Sequence, residues 1–248
     1  MSFQLAAAVA IVVGYLVGSL PFGLLVARLT SGVDIRKQGS GNIGATNVAR
    51  VLGAKYGAMV LLLDCLKGAL PTVLLPYFLL PRDAWGHVHL AVLTGVSAIL
   101  GHMFSFWIGF RGGKGVATAL GVALVLGPLA TAAAFGTFVV TFALSRFVSL
   151  SSMLAAIAFF AAEMWLLWPA PFSESTWSLA LFSTAIPLLI VIRHRSNIVR
   201  LSQGTEPRFR FGQKRKDGPA EKDPAAEGES PDVGTASEAR APQADDLG

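Results

Sequence analysis

Three short polar segments of this 248-residue chain combine glycines with side chains that can hold an anion. The first, Gln38–Arg50, reads QGSGNIGATNVAR. Gly39, Gly41 and Gly44 satisfy the spacing G-x-G-x-x-G, but a dinucleotide fingerprint needs a preceding strand and a βαβ unit, and this stretch lies between apolar segments. Its composition supports a loop with unshielded backbone N–H groups, to which Ser40, Asn42, Thr46 and Asn47 add polar side chains. Such a nest suits an oxyanion, and Arg50 can add a bidentate phosphate contact. The second segment, Gly109–Gly115, reads GFRGGKG and follows Gly101-His102. Gly112, Gly113 and Gly115 permit close backbone approach, with Lys114 as the point charge. It is one residue short of a Walker A loop, and Gly115 stands where the Mg-holding Ser/Thr belongs, which argues against Mg-nucleotide use. The third, Arg193–Phe211, reads RHRSNIVRLSQGTEPRFRF. Its cations have a plain explanation as stop-transfer charge or contacts to anionic lipid; His194, Asn197 and Glu206 do not.

Other chemistry is missing. No Ser-His-Asp arrangement or cysteine nucleophile stands out, and no His/Cys cluster has metal-ligand spacing. His87 and His89 form an isolated H-x-H pair, weak as metal evidence. Cys65, the single cysteine, excludes an intrachain disulfide and reads as a small buried hydrophobe. Neither a metal nor a cofactor is expected. Anion cradles without a protein nucleophile suit a reaction between two phosphorylated molecules, one of them already activated. Each segment also has a bland reading: a capped polar turn, a basic loop, a juxtamembrane anchor.

The elements that must position these segments are apolar. The chain is 53% hydrophobic and only 14% charged, with mean hydropathy +0.59, against roughly 25% charged residues in soluble domains. Met1–Ala27 and Val116–Ser145 carry no charge at all, and about 20 apolar residues cross a bilayer core. Apolar segments run over Leu5–Ala27, Gly57–Leu80, Val88–Ile108, Val116–Leu126, Leu129–Ser145, Phe147–Trp168 and Trp177–Ile192. As one helix, Val116–Ser145 would measure about 45 Å, too long for a core of about 30 Å, and Gly127-Pro128 near its middle favours a turn. Two crossings there put all three basic segments on one side, as the positive-inside rule requires. The expectation is an all-α, polytopic bundle of about seven spans, N-terminus outside and C-terminus cytoplasmic. The N-terminus lacks a basic n-region, so the first segment should remain as an anchor.

Few charges lie inside the spans. Asp64 and Lys67, three apart, share a helix face and can pair, either as a packing contact or as an electrostatic prop beneath an active site. Glu163 should reach the outer interface. Net charge is +5, but residues 1–216 hold 18 Lys/Arg against 6 Asp/Glu, and residues 217–248 hold 2 against 9. Residues 1–211 therefore read as the membrane domain and 212–248 as a disordered, solvating acidic tail.

GSGNIGATNVAR, GHMFSFWIGFRGGKGVATALG and HRSNIVRLSQGTEPRF, in this order, resemble the three signature motifs of the PlsY family, the acyl phosphate-dependent glycerol-3-phosphate acyltransferases of bacterial membranes. The motifs cover about 50 residues, and the apolar layout resembles that family through about residue 211. The resemblance implies transfer of an acyl group from acyl phosphate to sn-glycerol 3-phosphate, giving lysophosphatidic acid and phosphate, the first acylation of phospholipid biosynthesis. It implies catalytic roles for Ser40, Arg50, Lys114, His194 and Asn197. Substrate binding falls to Gly41, Asn42, Gly44, Asn47, Gly112, Gly113 and Gly115, and Glu206 holds the third motif's structure. It also implies the bacterial inner membrane, contact with membrane lipids, no nucleic acid, and association with the soluble enzyme that makes acyl phosphate. Two rivals share the bundle and the basic loops. A transporter of organic phosphate would favour a midplane site built from repeats, and a non-catalytic lipid-binding protein would need the cations but not the glycines. An H-x-x-x-x-D acyltransferase is disfavoured, because no histidine has Asp five positions later.

Overall fold

The computed structural model describes residues 1–82 and 84–209, and the expected acidic tail lies outside the described residues. The described residues form ten α-helices, two 3-10 turns and no strand. The helices are α1 (Phe3–Gly18), α2 (Phe22–Ser31), α3 (Ala45–Leu52), α4 (Ala54–Leu79), α5 (Gly86–Met103), α6 (Val116–Leu126), α7 (Pro128–Ser145), α8 (Val148–Leu166), α9 (Trp177–Arg193) and α10 (Arg195–Ser202). All seven expected apolar segments are helical within a few residues of their expected ends. The first one is broken, however. Pro21 has no N–H to donate and pushes its predecessor out of helical geometry, so α1 stops at Gly18 and α2 restarts at Phe22.

Five segments are long and apolar enough to cross a membrane: Phe3–Ser31, Ala54–Leu79, Gly86–Ile108, Pro128–Ser145 and Val148–Leu166. Trp177–Arg193 becomes a sixth only when joined to α10 across a 55° bend, and α6 has 11 residues. The count of seven and the sidedness of the termini therefore remain expectations. The turn inside residues 116–145 is observed. Lys114, just before α6, bonds Asn197, while beyond α7 the Arg146 carbonyl accepts the Phe209 N–H at 2.8 Å. Ser149, in the first turn of α8, donates to Glu206 at 2.6 Å. Both ends of the run are thus tied to residues 197–209, so the chain doubles back at Gly127-Pro128, with Pro128 at the start of α7.

Membrane helices gain little from burying apolar groups against one another, so close backbone approach matters more. α1 packs on α5 and α4 on α6 through reciprocal glycines. A Cβ on Gly18 would lie 2.1 Å from the Ala98 carbonyl oxygen, and one on Gly101 would lie 2.3 Å from that of Tyr15. Gly68 against Thr118 and Gly121 against Cys65 repeat the device between α4 and α6. Large apolar side chains such as Leu62, Phe78, Leu129, Phe135, Val140 and Leu144 face outward instead.

Two expectations need correction. Glu163 does not reach the interface: it is 4% exposed, and its carboxylate packs against Gly127, where the α6–α7 turn leaves room because no Cβ is present. Cys65 is free but half-buried. Of the far-side histidines, His89 Nδ1 lies 2.6 Å from Ser178 Oγ, and its ring sits beside Trp85 and Trp177. Among the described residues, no group of three or more His, Cys, Asp or Glu is arranged to hold a metal ion.

Candidate active site

The first segment folds around one side chain. Asn47, 2% exposed, accepts the Ser40 N–H at 2.9 Å and donates to the carbonyls of Ile35, Gln38 and Asn42 at 3.3, 3.0 and 2.9 Å. Its amide is spent on the loop, so its expected role as a substrate ligand is corrected to that of the loop's internal scaffold. Gly44 is corrected likewise, because its N–H goes to Asn42 Oδ1 at 2.8 Å as it caps α3. The Gly41 N–H goes to the Gln38 carbonyl at 3.0 Å, in a turn that gives Gly41 φ +70°. This loop presents Ser40, Gly41 and Asn42 to a cavity of about 360 Å³.

The second segment closes the same cavity with Phe110, Arg111 and Gly112. Its glycines do not act as a bare amide nest. The Gly112 N–H bonds the Met103 carbonyl at 3.2 Å, and the Gly113 N–H bonds the His102 carbonyl at 3.1 Å. The loop folds back on the end of α5 so tightly that a Cβ on Gly112 would lie 1.9 Å from the His102 carbonyl oxygen. Gly115 turns the chain into α6 at φ +83°, against the Met103 side chain. The N–H groups of Ser40, Gly41, Gly44, Gly112 and Gly113 are all engaged, so these five cannot hold an anion and a larger share of the attraction falls to the cations.

Those cations converge. Lys114 donates to Asn197 Oδ1, whose Nδ2 donates to Glu206 Oε1 at 2.6 Å. Glu206 also accepts from Ser149 at 2.6 Å and from Arg200 Nε at 2.8 Å. Burial pushes the Lys114 ammonium down to about 8, with Glu206 opposing the shift and Arg200, Arg50 and Arg193 adding to it. Arg50, half-buried in α3, has its pKa lowered by burial and by Arg200, against the pull of Glu206. Burial would raise Glu206, but hydrogen bonds from Ser149, Asn197 and Arg200 hold it below the usual carboxylate range. Burial and then the Lys114 charge push His194 down to about 4, so its imidazole is neutral at physiological pH. His194 Nδ1 lies 2.8 Å from the Ile190 carbonyl, which can only accept, so Nδ1 carries the hydrogen and Nε2 keeps its lone pair.

Arg193 is the residue that sequence reasoning missed. It donates to the Gly113 carbonyl at 2.8 Å, lies 3.4 Å from the Gly112 and Met103 carbonyls, and lines the cavity beside Ser40. At a span end an arginine looks like topology charge; a signal was its place directly before His194. Ser40, Gly41, Asn42 and Gly112 thus share one cavity wall with Arg193. Lys114, Asn197, His194, Arg50 and Glu206 form the coupled network beside it.

A family model described as glycerol-3-phosphate acyltransferase matches residues 8–204. A glycerol-3-phosphate acyltransferase of Myxococcus xanthus is 49% identical over 199 residues, covering 80% of this chain and 97% of the relative. Two crystal structures of PlsY, an integral membrane glycerol 3-phosphate acyltransferase, superpose on it. The glycerol 3-phosphate form has TM-score 0.72 and 41% identity, covering 82% of this chain and 96% of its own. The lysophosphatidic acid form has TM-score 0.70 and 40% identity, covering 82% and 95%. The chain belongs to the glycerol-3-phosphate acyltransferase family of integral membrane enzymes.

Proposed function

We propose that this acyltransferase moves the acyl group of an acyl phosphate onto the hydroxyl of sn-glycerol 3-phosphate, giving lysophosphatidic acid and phosphate. The observation that carries the reading is that the second and third segments lock together, Lys114 to Asn197, Asn197 and Arg200 to Glu206, and Arg193 to the Gly113 carbonyl, with Arg50 of the first segment close enough to act on Lys114. Two anions repel each other, and a cluster of partly desolvated cations is what allows both to be held at once. An acyl phosphate is a mixed anhydride with a good leaving group, so no acyl-enzyme is required. His194 Nε2 accepts a hydrogen bond from the attacking hydroxyl and aims it at the carbonyl. As the ester bond forms and the acyl–oxygen bond to phosphate breaks, the hydroxyl proton ends on the departing phosphate. A histidine near pKa 4 fits orientation of the hydroxyl better than retention of its proton. Such positioning can remove roughly 7–11 kcal/mol of barrier. Ser40 and Arg50 hold the phosphate of the acyl donor, Lys114 of the Gly112–Gly115 loop and Asn197 hold that of glycerol 3-phosphate, and Glu206 keeps Asn197 and Arg200 in register.

The reading places the enzyme in the bacterial cytoplasmic membrane with its three motifs cytoplasmic, where it can receive acyl phosphate from the soluble enzyme that makes it. Residues 1–211 form the catalytic unit, and removing residues 212–248 should leave turnover intact. Purified protein in lipid nanodiscs, given acyl phosphate and glycerol 3-phosphate in excess chelator, should release lysophosphatidic acid and phosphate in equal amounts. Turnover with acyl-CoA alone, or a requirement for added Mg²⁺, would contradict the proposal.

A further inference from the structure

Three ionisable side chains lie buried directly beneath the second loop, and the acyl transfer just described makes no use of them. Asp64 and Lys67 on α4 and His102 on α5 are 2%, 4% and 3% exposed. Asp64 Oδ1 is 2.7 Å from Lys67 Nζ and 3.7 Å from His102 Nδ1. Lys67 Nζ also donates to the Leu20 carbonyl at 2.7 Å, an acceptor that the Pro21 break between α1 and α2 leaves free of a helical partner. At the other end, the His102 carbonyl takes the Gly113 N–H, and its ring lies so close under Gly113 that a Cβ there would be 2.2 Å from Nε2. The next residue is Lys114. The packing therefore runs from the helix break through Lys67 and Asp64 to His102, whose Nδ1 faces Asp64 Oδ1 at 3.7 Å without a hydrogen bond, and on to the loop that carries Lys114.

A buried ion pair is seldom more stabilising than well-packed apolar side chains of the same volume. Its presence under the loop needs another reason than stability. We propose that Asp64, Lys67 and His102 are a positioning unit: Lys67 anchors Asp64 to the α1–α2 break, and Asp64 orients the His102 ring that sets the height of Gly113 and Lys114. The loop's own hydrogen bonds run to carbonyls of α5, so any shift of His102 moves Lys114 relative to Asn197. Displacements of about an ångström at a supporting position can cost up to roughly a hundredfold in rate or affinity.

The inference rests on the acyl-transfer reading for its assay. The test is steady-state kinetics of Asp64→Leu/Lys67→Met, an apolar replacement of similar size, beside His102→Phe and His102→Gln. Thermal unfolding checks folding, and calorimetric titration with glycerol 3-phosphate alone gives affinity without turnover. The double variant and His102→Phe should keep the unfolding midpoint while KM for glycerol 3-phosphate rises about tenfold or more. KM for the acyl donor should stay put, and His102→Gln, which keeps a polar group toward Asp64, should recover most of the loss. If the double variant does not fold, the Phe and Gln pair decides alone. Unchanged KM and affinity in a folded His102→Phe enzyme would overturn the positioning role, as would equal losses toward both substrates. An inactive wild type that still binds glycerol 3-phosphate would count against the acyl-transfer reading instead.

Discussion

Lys114 sets the electrostatics of the site, and its protonation is testable at the scale of one residue. Burial and three arginines hold its pKa near 8 in the free enzyme, so its charge is present below that pH and lost as pH rises through it. kcat/KM for glycerol 3-phosphate should therefore fall above about pH 8. In Lys114→Arg, whose guanidinium stays charged, that limb should move to higher pH even if the absolute rate drops. An active Lys114→Arg enzyme with the same limb would assign the titration elsewhere. Lys114→Ala should fold and insert yet lose roughly ten- to hundredfold in kcat/KM, since a charge-assisted bond contributes about 1.5–3 kcal/mol. The sequence exposed Lys114 because a lone cation among glycines has few other uses. It hid Arg193, because charge at a span end is also what topology demands. It could not separate Asn47 from Asn42, since two asparagines five apart look alike until one is seen buried with its amide spent.

Helices were legible at the scale of elements because apolar length is a one-dimensional property. The three loops were legible as loops but not as shapes. Their glycines suggested free N–H groups; the folded loops use them to press against α5 and α3, a tertiary contact that composition does not encode. Two substitutions follow from those shapes. Asn47→Asp keeps the acceptor for Ser40 but removes the donors to Ile35, Gln38 and Asn42 and buries a charge. With about 1–3 kcal/mol per unsatisfied buried group, it should lower the unfolding midpoint far more than Asn42→Ala, which removes only the bond to Gly44. Comparable midpoints would mean that Asn47 does not hold the loop. Gly113→Ala should instead lose activity at little cost to folding, because its Cβ meets the buried His102 ring and pushes the loop, with Lys114, away from Asn197. A Gly113→Ala enzyme with wild-type KM would remove the steric argument.

At the scale of the whole molecule, the parity of the crossings decides whether one site can exist at all. α6 rises only about 16 Å at 1.5 Å per residue, yet its start and the end of α7 are bound to the same third segment. Two arrangements satisfy this: α6 and α7 cross fully, or they dip into the bilayer as a re-entrant pair, and both return the chain to the same face. Charge bias in the sequence pointed to that parity without distinguishing the two, because a short helix and a complete crossing leave the same pattern of cations. Labelling with a membrane-impermeant maleimide in intact cells separates them, on a Cys65→Ser background. Ser175→Cys, exposed between α8 and α9, should react from outside, and Gln203→Cys, exposed beyond α10, only after permeabilisation. Leu129→Cys, 71% exposed at the start of α7, should react from outside if α6 crosses. Silence at Leu129→Cys before and after permeabilisation would favour the re-entrant pair and reduce the crossings to five, with the three motifs still on one face. Labelling of Gln203→Cys in intact cells would invert the orientation and put the site on the outer face.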